Sequence, residues 1–206
     1  MSPSDKNTKE IILDTALDLF QTNGYSTVSI RDICKIVGIK ESSVYYHFKN
    51  KEDILNTILL RTGAWVTEKK SRFRETLEAS VRVPREAFIA VGVSYIEKCL
   101  LEEKIFKVIR MLTIEKQRNE AAADLYHELL FTLPTEHQTQ VFSIMMKKGF
   151  VREDSPEVLA SEYQALIIFV FQKYFSGSKP ISSYARSSAA QELSLLLKRF
   201  YDRYFQ

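Results

Sequence analysis

Glycine and proline are scarce in this chain, six and five in 206 residues. That excludes folds built on many tight turns and short strands. There are only two cysteines, Cys34 and Cys99, far apart and at no metal-binding spacing. They are expected to remain thiols. Three histidines leave no room for a histidine-rich metal site, and no His, Asp and Glu pattern suggests one. The sequence offers no nucleophile-base-acid set, no glycine-rich phosphate loop and no carboxylate-histidine repeat. No catalytic residue, cofactor or metal is therefore expected, and the chain does not read as an enzyme. Long apolar runs are missing too. The longest, 165–171, is stopped by Gln172 and Lys173, far short of the ~20 residues needed to span a bilayer. The first residues carry no apolar signal region. The expectation is a cytoplasmic chain without a membrane partner.

What is present is helix. Hydrophobic residues make up 45% and charged residues 27%, and apolar positions recur at three and four residues throughout. The fold class expected is all-α. A first helix runs from about Thr8 to Asn23 on the stripe Ile11, Ile12, Thr15, Ala16, Leu19 and Phe20, and Gly24 stops it. Ser29 with Asp32 three residues on predicts the start of a second helix, which Gly38 ends. A third short helix covers about Lys40 to Phe48. A long fourth helix starts near Lys51-Glu52-Asp53, where acids suit the positive helix end. Its stripe runs Ile54, Leu55, Ile58, Leu59, Thr62, Trp65 and on toward Phe73 and Leu77. Pro84 opens another helix. Helix continues from Glu103 to about Phe131, in one piece or two, until Pro134 breaks it, and Thr135-Glu136-His137-Gln138 reads as a capping box for the next. Ser155-Pro156-Glu157 is a strong start signal. The last helix carries Leu193, Leu196, Leu197, Phe200, Tyr201 and Tyr204 on one face.

Two short helices around Gly38 form a helix-turn-helix pattern. Ile33, Val37, Ile39 and Val44 hold the pair together. Glu41, Ser42, Ser43, Tyr45, Tyr46 and His47 are left pointing outward, a set suited to phosphates, sugars and base edges in a major groove. Between Met1 and Asp53 seven bases face eight acids. Between Arg31 and Lys51 five bases face two acids, so the positive charge sits on the helix-turn-helix. The Lys69, Lys70, Arg72 and Arg74 run reads as a solvated helix face.

Ser29-Ile30-Arg31-Asp32-Ile33-Cys34, Val37-Gly38-Ile39 and Ser43-Val44-Tyr45-Tyr46-His47-Phe48-Lys49-Asn50-Lys51-Glu52-Asp53-Ile54-Leu55 closely resemble the DNA-binding domain of TetR-family regulators. So does Phe20 with Gly24-Tyr25 at the end of the first helix. The resemblance covers about the first quarter of the chain. It implies a DNA-binding helix-turn-helix domain over residues 1–53 and a larger helical domain over 54–206 for ligand sensing and dimerisation. It places Arg31, Lys40, Glu41, Ser42, Ser43, Tyr45, Tyr46 and His47 near bases and backbone, and makes Lys51 a phosphate anchor. Lys40 and Glu41 depart from the family's usual residues, as does Cys34. Glu41 could accept from cytosine N4 or support its own helix terminus.

For the C-terminal part, Trp65, Phe88, Tyr95, Phe106, Met111, Tyr126, Phe142, Met145, Tyr163 and Phe169 are candidates to line an apolar cavity. Each has plain core packing as its alternative. Two strongly apolar C-terminal helices exceed what one subunit's core needs, which suggests a homodimer through Leu166, Val170, Leu193, Leu197 and Phe200. The function expected is a homodimeric repressor on a palindromic double-stranded operator, released by an unknown small apolar or amphipathic effector. The alternative is a DNA-binding regulator without a ligand, controlled by a protein partner or by abundance.

Overall fold

The computed structural model describes residues 3–62, 80–177 and 180–206. Trp65, Phe73, Leu77 and the 69–74 basic run lie outside them. Among the described residues the secondary structure is helical: α1 (Pro3–Asn23), α2 (Ile30–Val37), α3 (Glu41–His47), α4 (51–62), α5 (Arg85–Tyr95), α6 (Glu103–Glu115), α7 (Glu120–His127), α8 (Leu133–Lys147), α9 (Pro156–Phe175) and α10 (Ser183–Tyr204). Single π-helical turns follow α5 (Ile96–Leu100) and α7 (Glu128–Thr132). The only non-helical pairing described is one antiparallel bridge from Val151 to Phe205, which ties the end of α10 to the segment after α8.

The chain forms two compact units, Met1–Thr67 with Glu103–Tyr126, and Glu68–Glu102 with His127–Gln206. They divide the chain differently from a single cut after Asp53, because α6 packs on α1. In the first unit Ile12, Ala16 and Phe20 of α1 are fully buried, with Ile33 of α2, Val44 of α3, Phe48, Ile54 of α4 and Val108 of α6. Burying each large side chain contributes ~1.5–3 kcal/mol. An acidic row on α1, four residues apart, adds ion pairs at the edge. Glu10 takes Arg61 of α4 at 2.8 Å, Asp14 takes Lys104 at 3.0 Å, and Asp18 takes Lys107 at 2.7 Å. The α1 acids are about half exposed and each pair adds little on its own; the Lys104 and Lys107 pairs align α6 along α1, and the Arg61 pair ties α4 to it.

In the second unit α8 packs on α9, and α10 packs on α5 and α9. The rings of Phe88, Phe142, Tyr163 and Phe200 lie within 6 Å of one another pairwise wherever they meet, and they form the centre. Gly92 lets α5 approach: a Cβ there would collide with Leu197 and sit 2.9 Å from the Tyr163 hydroxyl. A buried polar relay crosses this core. Gln138 Nε2 donates to Gln164 Oε1 at 2.8 Å, and Gln164 Nε2 donates to the Leu130 carbonyl at 2.6 Å.

Two expectations fail here. Pro134 does not break the helix; it sits in the first turn of α8, directly after the π turn, where a missing N–H is harmless. Thr135 is therefore inside α8 and caps nothing, and Gln138 spends its amide on the core. Ser155 does cap α9, accepting from the Val158 N–H at 3.3 Å.

Candidate nucleic-acid interface

The local folding of residues 24–53 follows from a few short-range bonds. Gly24 leaves α1 at φ 84° and Gly38 leaves α2 at φ 75°, the left-handed conformation that a Cβ penalises. At the head of α2 the Asp32 carboxylate accepts from the Ser29 N–H at 2.8 Å, and Ser29 Oγ accepts from the Asp32 N–H at 3.2 Å. This is the reciprocal capping box the sequence predicts. The Gly38 and Ile39 amides both return to the Cys34 carbonyl, at 2.9 and 3.2 Å, and close the turn. Burial pushes the Cys34 thiol up, away from reactive thiolate chemistry.

α3 is anchored from below by Val44, fully buried, and by Phe48 just past its end. With that face fixed, Ser42, Tyr45 and Tyr46 are exposed, and Glu41, Ser43 and His47 half-exposed. Tyr46 is 70% exposed, with its ring edge-on to His47 at 5.0 Å. An aromatic side chain held that far into water on a rigid seven-residue helix has no packing role within the subunit. Lys40 precedes α3 and is exposed, with no capping bond from its side chain.

Arg31 and Glu41 are not independent. Arg31 Nε donates to Glu41 Oε1 at 2.9 Å, joining α2 to α3 at the surface. The bond raises the Arg31 pKa above its ordinary value.

Lys51 has a different occupation from a free phosphate anchor. Its ammonium donates to the carbonyls of Tyr25 and Val28, each at 2.8 Å, and to that of Ser26 at 3.4 Å. It also lies 4.3 Å from the centre of the Tyr25 ring. Burial lowers its pKa, and the nearby Glu115 carboxylate opposes the shift. The start of α4 has a cap that the sequence reading missed. Asn50 Oδ1 accepts from the Asp53 N–H at 2.8 Å, and Asp53 accepts from the Lys49 N–H at 2.9 Å. The signal was available, an Asn three residues before an Asp. Ser26 and Glu115, which also meet at this loop, carried no local signal because 89 residues separate them.

The cavity candidates do not converge. Phe88, Phe142 and Tyr163 meet in the second unit, where Met145 is also buried and Tyr95 half-buried. Burial pushes the Tyr95 and Tyr163 phenols up. Phe106, Met111 and Tyr126 belong to the first unit, and the Tyr126 ring lies under the Lys116 ammonium at 3.9 Å. Phe169 is 53% exposed, so it lines no closed core. A cavity of about 10 Å³ lies beside Val93, Ile96, Phe175, Arg186, Ala189 and Leu193, none of them among the ten candidates. It holds one water at most.

Most of the dimer candidates are packed within their own unit. Val170, Leu193, Leu197 and Phe200 are all at least 95% buried inside the second unit. Leu166 alone of the five is partly exposed. Among the described residues no group of three metal-ligating side chains occurs, and no helix is long and apolar enough to cross a membrane.

Residues 12–58 match the pattern of the bacterial regulatory proteins of the tetR family. The HTH-type transcriptional regulator AcrR of Shigella flexneri is 25% identical over 126 residues, 61% of this chain and 51% of that protein. The negative regulator of the biofilm operon icaADBC, IcaR of Staphylococcus epidermidis, is 48% identical over 46 residues, 22% of this chain and 25% of that protein. The chain thus spans about half or less of the length of these curated relatives. Over nearly its whole length it shares the fold of SmeT in a complex with triclosan, at 20% identity and a TM-score of 0.69, covering 97% of this chain and 92% of that one. Residues 12–58 thus form a helix-turn-helix of the tetR-family pattern, and the larger C-terminal part is helical, as in SmeT.

Proposed function

We propose that this regulator is a homodimeric repressor that reads a two-fold symmetric operator through α3 and releases it when a small apolar or amphipathic molecule binds. Residues 1–53 read DNA, and residues 54–206 sense and dimerise. The observation that carries the DNA reading is α3 itself, anchored by Val44 and Phe48 while Tyr45 and Tyr46 are held in water. Ser42, Ser43, Tyr45, Tyr46 and His47 meet the groove, with Lys40 and Arg31 toward the phosphates. The name of IcaR, a negative regulator, supports repression. The bound triclosan of SmeT supports a small-molecule effector.

The dimer surface we assign is the outer face of α9 and α10. Val158 and Phe169 are eleven residues apart on α9, and Tyr184 and Leu195 eleven apart on α10, so each pair lies on one stripe. All four are at least half exposed. A symmetric partner presents the same stripes in return.

One observation favours the ligand-free alternative. The cavity found among the described residues, beside Val93, is too small for an effector, and a regulator governed by a partner protein or by abundance is the second reading. Selecting duplexes from a randomised pool with the full protein tests DNA binding and symmetry together. A palindromic consensus is expected, and absence of any enriched duplex refutes the reading. Fatty acids, acyl thioesters, hydrophobic drugs and dyes are then added to the bound complex. A compound that releases DNA and raises the melting temperature supports the effector; none doing so supports the alternative.

A further inference from the structure

Glu115 is the last residue of α6 and only 5% exposed. That is a costly place for a carboxylate on two counts. Burial strips its hydration, and the C-terminal end of a helix carries partial negative charge. Its bonds are specific. One oxygen accepts from the Ser26 N–H at 3.1 Å and the other from the Ser26 hydroxyl at 2.6 Å. Gly24 makes the approach possible, since a Cβ there would sit 2.7 Å from the same carboxylate oxygen.

The loop 24–28 is therefore gripped from two sides. Lys51, at the head of α4, holds its carbonyls, and Glu115, at the tail of α6, holds its amide and hydroxyl. The opposite charges of the two side chains attract across the loop. Ser29 follows at once and caps α2, whose turn at Gly38 sets α3. No other side chain of α6 reaches this loop through a hydrogen bond among the described residues. The ion pairs of Lys104 and Lys107 attach α6 to α1 instead, through acids about half exposed.

We infer that Glu115 is a positioning residue for DNA binding: it registers the tail of α6 against the loop that launches the helix-turn-helix. The role rests on the reading of α3 as the DNA-reading element. Glu115 touches no DNA. It fixes the start of α2, and through α2 the angle at which α3 is presented. A displaced α6 pulls Ser26 or lets it go, so loop order and DNA affinity change together while the sequence preferred by α3 does not.

The test uses the full-length protein, a duplex enriched by the wild type from a randomised pool, and amide exchange of the free protein. Glu115→Ala is expected to speed exchange in the segment 24–40 and to weaken binding to that duplex by about tenfold or more. A fresh selection with the variant should return the same consensus. Glu115→Gln keeps an acceptor for the Ser26 N–H and a donor for its hydroxyl, so it should recover most of the affinity. Should Glu115→Ala fail to fold, Ser26→Ala removes only the hydroxyl half of the grip at an exposed position and should show the same two changes in smaller measure. Unchanged exchange at 24–40 and unchanged affinity in the folded variants overturn the role. So does a loss of stability whose folded fraction binds as tightly as wild type. Failure of the wild type to enrich any duplex refutes the DNA-reading assignment instead, and the exchange data then report on the loop grip by themselves.

Discussion

Arg31 and Glu41 face each other across the helix-turn-helix, guanidinium nitrogen to carboxylate oxygen at 2.9 Å, with the Arg31 side chain 85% exposed. The arginine proposed above to meet phosphate is thus held by an acid on α3. DNA must compete for that guanidinium, and the Glu41 charge opposes the phosphates. Glu41→Gln is expected to tighten binding to unrelated duplexes and to steepen the dependence of log affinity on log salt by up to about one unit. Anisotropy titrations over a salt series measure both. A shallower slope would show that the pair does not restrain Arg31.

Lys51 gives the opposite expectation. Its donors are already spent on three carbonyls, so Lys51→Met strands the part-buried carbonyls of Tyr25 and Val28, at up to about 1–3 kcal/mol each. The melting temperature should fall and binding should weaken with it. The salt slope should change by less than the one unit that loss of a phosphate contact produces. A full unit lost at unchanged melting temperature would restore the phosphate role.

Acid should loosen the protein through named carboxylates. Hydrogen bonds hold Glu10 below its ordinary value through Arg61, Asp32 through Ser29, Glu103 through Lys107 and Glu192 through Lys173. A pKa depressed in the folded state stabilises fully above the unfolded value, near 4, and the benefit disappears as pH falls through the folded value. Melting temperature should be level from pH 7 to about 5 and decline below about 4.5. Glu10→Gln should start lower and decline less steeply; a decline as steep as wild type would remove Glu10 from the account.

Gly92→Ala places a methyl group against Leu197 and the Tyr163 hydroxyl. Overpacking of this kind costs about 1–3 kcal/mol. Pairing it with Leu197→Ala should recover part of the loss in a denaturation series, since one of the two collisions is then removed. Independent, additive losses would mean that α5 shifts freely.

The exposed stripe and the buried stripe of the last two helices should respond differently. Phe169→Glu with Leu195→Glu is expected to give a folded, helical monomer by light scattering and circular dichroism. Leu197→Glu buries an unpaired charge in the centre of the second unit and should unfold it. A dimer surviving the first pair would move the interface elsewhere.

Helix existence, the caps at Ser29 and Ser155, and the turn at Gly38 could be read directly from the sequence. These features depend on bonds between residues three to five apart, and such neighbours are adjacent in the chain. The outward set on α3 was legible for the same reason, since periodicity alone places Val44 opposite Tyr46. Tertiary structure decided the rest. Periodicity marks a stripe as apolar without saying what covers it: Leu193, Leu197 and Phe200, read as interface, are packed inside the second unit, while Leu195 beside them is 55% exposed. Pro134 read as a break because a π turn leaves no sequence signature. Lys51 read as a phosphate anchor because its carbonyl partners lie 23 to 26 residues back along the chain. The burial of Glu115 against Ser26, across 89 residues, exists only once α6 has packed on α1. Local chemistry sets which helices form; which of their faces meet is a property of the folded whole.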